Sequence, residues 1–294
     1  MDIPIRTMAG PVVKSLKSTD GCDLYAEAIG DHSNPHVVLL HGMGSSAAIF
    51  DVFCHQYSLV DNLYIVRYDM RGHGRSGMPE TPEGHLSKLH ADDFMTVLQA
   101  FELDTPILVG WSLGAVIAAD LCEHVRPLPI SGIMYMSGHI SVQGMQEYSS
   151  SPFFQETIKM GADPVNEPTA LRLLIDACFI SPRNVPVAYP LRCFWAGMFF
   201  LQPRTTRGCW LTRPQNTAPL FKALGAGLPV FTLYGTHDKL VDNAAVEREL
   251  RRHATNLEVK KLLDFGHAVS WEDPEEAAWD IINFANKVWA EEWD

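Results

Sequence analysis

Short apolar runs alternate with longer segments of helical character along most of the chain. Six nearly continuous apolar or β-branched runs predict strands at 36–40, 63–68, 105–109, 130–137, 229–234 and 257–263. Two further strands, 14–19 and 23–29, are joined by the hairpin signal Asp20-Gly21. Segments with helical period or high helix propensity predict helices at about 47–57, 86–101, 115–122, 243–253 and 274–289. The alternation predicts an α/β fold with a mostly parallel central sheet flanked by helices.

The alternation stops between residues 139 and 228. This stretch has no strong strand signal, and its period is helical where a period is visible. It is also rich in prolines and in nine aromatic residues: Phe153, Phe154, Phe179, Tyr189, Phe194, Trp195, Phe199, Phe200 and Trp210. We therefore expect a core domain made of residues 1–138 and 229–294, with residues 139–228 inserted as a helical cap.

Composition and charge exclude several classes of partner. The 294 residues are 47% hydrophobic and 20% charged, as is usual for a soluble globular protein. The formal net charge of -12 argues against nucleic acid and anionic membranes, which require clustered positive charge. A small neutral or apolar substrate is the simpler expectation, and nothing in the sequence predicts an oligomeric state.

The N-terminus and the cysteines indicate a cytoplasmic protein. Residues 1–6 lack the pattern of a signal peptide, and the longest strongly apolar run, 193–201, is too short to span a bilayer. The six cysteines are scattered without a C-x-x-C pair, which predicts reduced, mostly buried thiols and no structural zinc. No metal and no cofactor are expected.

One serine lies where a predicted strand meets a predicted helix. Ser112 is flanked by Gly110 and Gly114, which remove the Cβ atoms that would collide in a tight turn. At the start of the helix, its hydroxyl would meet free backbone amides and the positive end of the helix dipole. The alternative is a serine that only caps the helix.

Five short sequence motifs, taken in their order along the chain, support a resemblance to a known family. The chain resembles the α/β-hydrolase fold superfamily, in its serine-nucleophile branch with a helical cap, over nearly its whole length. The likeness rests on His41-Gly42-Met43-Gly44, on residues 69–76, on Gly110-Trp111-Ser112-Leu113-Gly114, on residues 235–241 and on Phe265-Gly266-His267.

A serine hydroxyl needs a base, and a basic histidine needs a carboxylate to fix its tautomer. We select His267, which follows a glycine just after a strand and occupies the position that the resembled family uses for its base. On the same resemblance Asp238 is the carboxylate, although Asp242 and Asp264 are close in sequence. Asp242 is expected to cap the next helix.

The resemblance also implies the donors that would stabilise a negatively charged oxygen. They are the backbone N–H groups of Leu113 and Met43, so that the side chains at these positions are free to vary. His41 is expected to orient its loop. For residues 69–76 we expect a glycine-turned loop with an internal ion pair.

Ser112 favours acyl transfer to water, with cleavage of an ester, lactone or thioester through an acyl-enzyme. An aspartate at this position would instead suit the dehalogenases and epoxide hydrolases of the fold. Carbon-carbon bond hydrolysis and cofactor-free perhydrolysis use the same three residues and stay open. A ligand receptor or accessory protein without turnover also stays open. The aromatic residues of 139–228 either line a pocket for a small apolar or aromatic substrate or form the core of the cap.

Overall fold

Eight strands form one sheet in the part of the chain that the computed structural model describes, residues 10–180 and 188–291. The sheet order is β1-β2-β4-β3-β5-β6-β7-β8. The two pairs that involve β2 are antiparallel, and the other pairs are parallel. The strands are β1 Val12–Lys17, β2 Asp23–Ile29, β3 His36–Leu40, β4 Tyr64–Tyr68, β5 Ile107–Trp111, β6 Gly132–Met136, β7 Val230–Gly235 and β8 Leu257–Leu262. The predicted mostly parallel sheet is confirmed.

Helices surround this sheet and fill the interval between β6 and β7. The helices are α1 Asp51–Cys54, α2 Tyr57–Asn62, α3 Ser87–Ala100, α4 Ile117–His124, α5 Val142–Gly144, α6 Pro152–Gly161, α7 Glu167–Ala177, α8 Ala188–Leu201, α9 Arg204–Thr212, α10 Ala218–Gly225, α11 Asn243–His253, α12 Val269–Glu272 and α13 Pro274–Glu291. Short 3₁₀ turns cover Ala47–Phe50, Pro82–His85 and Ser112–Val116, and Met145–Ser149 forms a π turn.

The boundaries of several predicted elements shift for local reasons. The strand predicted at 105–109 begins at Ile107, because Thr105 has a φ of 31° and Pro106 has no N–H to donate. The strand predicted at 130–137 ends before Ser137, whose φ is 46°. The helix predicted at about 47–57 is instead a 3₁₀ turn followed by the short helix α1, and α2 begins where the predicted helix was to end.

The central strands are buried along their whole length. All residues of β3, β5 and β6 are buried, as continuous apolar runs require of strands covered on both faces. The flanking helices pack in two groups, with α3, α4, α10 and α11 in contact in series and α2 against α13. Because β3 to β8 run parallel, their carboxyl ends meet at one edge of the sheet.

The described residues between β6 and β7 are helical, as the sequence predicts. Here α6 packs on α7 and α7 on α8, whereas α10 contacts α4 and α11 beside the sheet. The segment is tied to the rest at Ser150, which forms an isolated bridge with Val241, and at Arg213, which forms a buried two-pronged ion pair with Asp120 of α4. The division into core and cap stays a prediction.

The cysteines agree only partly with expectation. All six are free thiols, as predicted, but only Cys54, Cys122 and Cys178 are buried. No cluster of possible metal ligands occurs among the described residues. Within the same ranges, every helix is too short or too polar to cross a bilayer.

Candidate active site

Ser112 lies at the junction of β5 and the 3₁₀ turn that leads into α4. Its φ is 54°, a conformation that a residue with a side chain rarely adopts. A Cβ on Gly110 would lie 2.2 Å from the Ala115 Cα, and a Cβ on Gly114 would lie 2.5 Å from the carbonyl oxygen of Leu40. The predicted need for glycine at both positions is confirmed, because the neighbouring atoms are backbone and cannot move aside.

His267 and Asp238 lie on the loops that follow β8 and β7. These loops touch through their backbones: a Cβ on Gly235 would lie 2.2 Å from the Phe265 carbonyl oxygen. The contact brings His267 Nδ1 to 2.9 Å from Asp238 Oδ2, and both side chains are only 2% exposed. The ring therefore donates from Nδ1, which leaves the lone pair on Nε2.

Asp238 is held as a carboxylate. Its Oδ1 accepts the backbone N–H groups of Leu240 at 2.8 Å and Val241 at 3.1 Å, and its Oδ2 accepts the Asn243 side-chain amide at 2.8 Å. Burial raises the pKa of Asp238, but the His267 charge, its hydrogen bond and the two backbone donors together hold that pKa below its usual value. A charged Asp238 can both fix the His267 tautomer and stabilise its protonated form.

The two rival aspartates have other positions. Asp242 caps α11 by accepting the N–H of Ala245 at 2.9 Å, as predicted. The Asp264 side chain is 83% exposed, and it lies 3.7 Å from His237 rather than against His267. Asp238 is thus the member of the three that the structure brings to His267.

The loop after β3 lies against Ser112. A Cβ on Gly114 would lie 2.6 Å from the His41 carbonyl oxygen, and Met43 and Leu113 line the same cavity as Ser112. His41 donates from Nδ1 to the Gly42 carbonyl at 2.8 Å and accepts the Met70 N–H at Nε2 at 3.1 Å. The expected orienting role of His41 therefore has a direct hydrogen-bond basis.

The loop of residues 69–76 has the expected internal ion pair. The buried Asp69 carboxylate accepts Arg75 Nε at 2.8 Å and the Ala47 backbone N–H at 2.7 Å. Arg71 is fully buried and forms a two-pronged pair with Asp93 at 2.7 and 2.6 Å. These contacts fix the loop to its neighbours and leave it no visible part in the chemistry.

The cavity beside Ser112 is narrow, about 70 Å³, and mostly apolar. Ser45, Ser112, His139 and His267 are its polar wall residues. Of the nine aromatic residues singled out in the sequence, Phe154, Trp195 and Phe199 line it. Phe179 and Trp210 are buried elsewhere, and the remaining four are exposed: Phe153, Tyr189, Phe194 and Phe200. The aromatic set thus divides between pocket, interior and surface.

Sequence reasoning missed three residues of this site. His139, three residues beyond β6, lines the cavity. Trp111 donates from its indole to the His267 carbonyl at 3.1 Å. The Glu272 carboxylate accepts the backbone N–H groups of Gly266 at 2.5 Å and Ile180 at 2.6 Å, which joins the His267 loop to the residues after α7. The position of His139 just past a buried strand was the one usable signal.

Residues 37–280 match the family described as "Alpha/beta hydrolase family". The uncharacterized hydrolase YraK of Bacillus subtilis is 36% identical over 103 residues, which are 35% of this chain and 36% of that protein. The chain thus spans about a third of the length of such curated relatives.

Two further similarities extend over most of the chain. The pimeloyl-[acyl-carrier protein] methyl ester esterase of Vibrio vulnificus is 24% identical over 285 residues, which cover 90% of this chain and 99% of that protein. The crystal structure of a putative aryl esterase from Burkholderia cenocepacia superposes with a TM-score of 0.83 at 21% identity, covering 95% of this chain and 100% of the other. At this identity the structural likeness supports the fold.

Proposed function

The chain belongs to the alpha/beta hydrolase family, and from this premise we propose that it is a serine hydrolase of esters, lactones or thioesters. The observation that carries the proposal is the buried pair of His267 and Asp238 on two touching loops, with His267 on the wall of the cavity that Ser112 also lines. The apolar lining favours a small apolar or aromatic substrate.

The first half-reaction forms an acyl-enzyme. Ser112 Oγ attacks the carbonyl carbon while His267 Nε2 takes the hydroxyl proton, and Asp238 stabilises the imidazolium. The carbonyl oxygen becomes negative and accepts hydrogen bonds from the backbone N–H groups of Met43 and Leu113. The bond to the leaving group then breaks, and His267 transfers its proton to the departing alcohol or thiol.

The second half-reaction regenerates the serine. His267 Nε2 takes a proton from water as the water oxygen attacks the acyl carbon. Collapse of this second intermediate releases the carboxylic acid and returns the proton from His267 to Ser112 Oγ.

Residues 139–228 act as the cap, since Phe154 of α6, Leu174 of α7 and Phe199 of α8 line the cavity.

A fluorophosphonate probe with peptide mapping tests the activated serine. We expect labelling of Ser112 in the wild type and in Ser45→Ala, a control serine in the same cavity, but not in Ser112→Ala. Labelling that persists in Ser112→Ala, or that is absent from a folded wild type, would contradict the proposal.

A panel of esters, lactones, thioesters and diketones then identifies the reaction. Release of an acid from one of the first three classes supports the proposal. Cleavage of diketones alone would replace it with carbon-carbon bond hydrolysis. Labelled protein that turns over none of them would indicate a binding protein.

A further inference from the structure

His139 places a second imidazole in the cavity, next to the serine. Its backbone N–H donates to the Ser112 carbonyl at 3.1 Å, which fixes the residue beside the tight turn. The side chain is 2% exposed and lines the cavity with Met145, Phe154 and Leu240. The mechanism above uses His267 and leaves His139 without a role.

The hydrogen bonds of Ser149 decide which nitrogen of His139 carries the proton. Ser149 Oγ lies 3.0 Å from the Gly144 carbonyl oxygen and 2.7 Å from His139 Nδ1. A carbonyl oxygen only accepts, so the single hydroxyl proton of Ser149 is donated to Gly144. His139 Nδ1 must therefore carry a proton and donate it to Ser149, and Nε2 is left with a lone pair.

The lone pair of Nε2 faces the cavity. Nε2 has no hydrogen-bond partner among the described residues, and it is not one of the unpartnered atoms enclosed completely by protein. Because the side chain is almost wholly buried, the space that reaches Nε2 is the cavity that it lines. The cavity thus has an acceptor on its wall that no residue in the described part of the chain satisfies.

This imidazole stays neutral across the useful pH range. Burial and, to a smaller extent, the charge of His267 lower the pKa of His139, the charge of Asp238 opposes them, and together they place that pKa at about 3. A neutral Nε2 accepts a hydrogen bond and offers nothing to a carboxylate or phosphate.

We propose that His139 Nε2 is a specificity-determining acceptor that binds a hydroxyl or N–H group of the substrate near the scissile carbonyl. The substrate class is then narrowed to esters, lactones or thioesters that carry such a donor. A site built to bind a donor discriminates against the analogue that lacks it, because the protein acceptor is left unpaired. The part of this proposal that concerns turnover rests on the proposed function, whereas the part that concerns binding does not.

Pairs of esters in which the donor hydroxyl is either free or capped by a methyl group test it. We would compare methyl mandelate with methyl 2-methoxy-2-phenylacetate, and methyl 3-hydroxy-3-phenylpropanoate with its methoxy analogue. The readout is the ratio of kcat/KM within each pair, which cancels any general loss of activity. We expect the wild type to favour the hydroxy ester of at least one pair by about tenfold or more.

Four variants separate the role of His139 from mere support. His139→Phe, which removes the acceptor, should abolish the preference, and His139→Gln, whose side-chain oxygen accepts, should retain part of it. Ser149→Ala removes the hydroxyl that fixes the His139 tautomer, and it should weaken the preference for the hydroxy ester without changing a residue that lines the cavity. His253→Phe, in a histidine that stacks on Phe221 in the outer helices, should keep the wild-type ratio.

Two outcomes would overturn the proposal. One is a wild type without preference in either pair, and the other is a His139→Phe variant with the wild-type ratio. If no ester is turned over, calorimetric titration of Ser112→Ala and of Ser112→Ala with His139→Phe makes the same comparison by binding. A hydroxy preference that His139→Phe removes would support the acceptor even if hydrolysis fails, and equal binding would refute it.

Discussion

The two walls of the cavity are built in different ways. The floor consists of the loops after β3, β5, β7 and β8. Backbone atoms of different loops touch there, as at Gly114 and Gly235, and the Asp238 side chain has fixed hydrogen-bond partners. The roof consists of α6, α7 and α8, which present apolar side chains such as Leu174 and Phe199. The comparison teaches that the positions of the proposed catalytic residues depend on backbone contacts that leave no room for an added atom. The shape of the pocket depends instead on side-chain packing, in which one apolar residue can replace another of similar size.

The largest difference between floor and roof should be seen in catalysis. Ser112→Ala removes the proposed nucleophile and should lower kcat at least about a thousandfold. Phe199→Leu keeps an apolar side chain in the roof and should change kcat/KM by less than about tenfold, mainly through KM. Steady-state kinetics with one ester from the screen checks both variants, and comparable losses would erase the distinction between the two walls.

Glycine substitution should separate the walls in stability. Gly114→Ala places a Cβ 2.5 Å from the Leu40 carbonyl oxygen, and we expect it to lower the free energy of unfolding by at least about 3 kcal/mol. Gly197 is exposed inside α8 with nothing near its would-be Cβ, so Gly197→Ala should raise that free energy by about 0.5–1 kcal/mol. Urea unfolding of both variants measures the effects. A mild effect of Gly114→Ala would show that the turn is more compliant than its contacts indicate.

Acid should destabilise the core and spare the roof. Burial lowers the pKa values of His41, His73 and His90, and the sequence has no histidine from residue 140 to residue 236. Below about pH 6.5 these histidines bind protons in the unfolded chain but stay neutral in the folded protein. Above that pH the neutral rings make their full contribution to the free energy of unfolding. As the pH decreases below it, that free energy falls by up to about 1.4 kcal/mol per pH unit for each ring.

Urea unfolding between pH 8 and pH 5 measures this slope. His90→Phe is the matched variant, because the centroid of the His90 ring lies 4.6 Å from that of Trp210 and its buried Nε2 has no hydrogen-bond partner within residues 10–180 and 188–291. We expect a shallower slope in this variant, and an identical slope would assign the acid sensitivity to other groups.

The smallest expected effect concerns the place where the walls are joined. Glu272→Gln keeps one acceptor for the N–H groups of Gly266 and Ile180 but turns an amide NH₂ toward the other. We expect a loss of about 1–2 kcal/mol in unfolding free energy and a severalfold lower kcat/KM, because the His267 loop is less well held. Glu275→Gln, at an exposed position in α13, is the control, and equal behaviour of the two variants would deny Glu272 this positioning role.

The floor was largely predictable from sequence, and the roof was not. Strand ends and glycines indicate the position of Ser112, and the resemblance to a known family selects Asp238 and His267 from the loops after later strands. These loops come together because the carboxyl ends of parallel strands meet at one edge. In the roof, Trp195 and Phe199 are four residues apart and face inward, but Phe194 and Phe200 on the same helix are equally apolar and exposed. A helix that is apolar all round does not reveal its inner face.

The position of His139 just past a buried strand was a usable signal, but its hydrogen bonding was unpredictable for another reason. Its tautomer depends on Ser149, ten residues later, and on a carbonyl oxygen that a π turn brings within reach. Neither the spacing nor the residue types record that arrangement.

Trp111 makes structural changes at the site detectable by fluorescence. Its indole lies between the walls, with ring centroids 5.4 Å from His267 and 5.7 Å from Trp195 of α8. Displacement of Trp195 would change the surroundings of this chromophore. The difference in fluorescence between the wild type and Trp111→Phe is therefore an optical signal of the position of α8 relative to the His267 loop, readable without substrate or label.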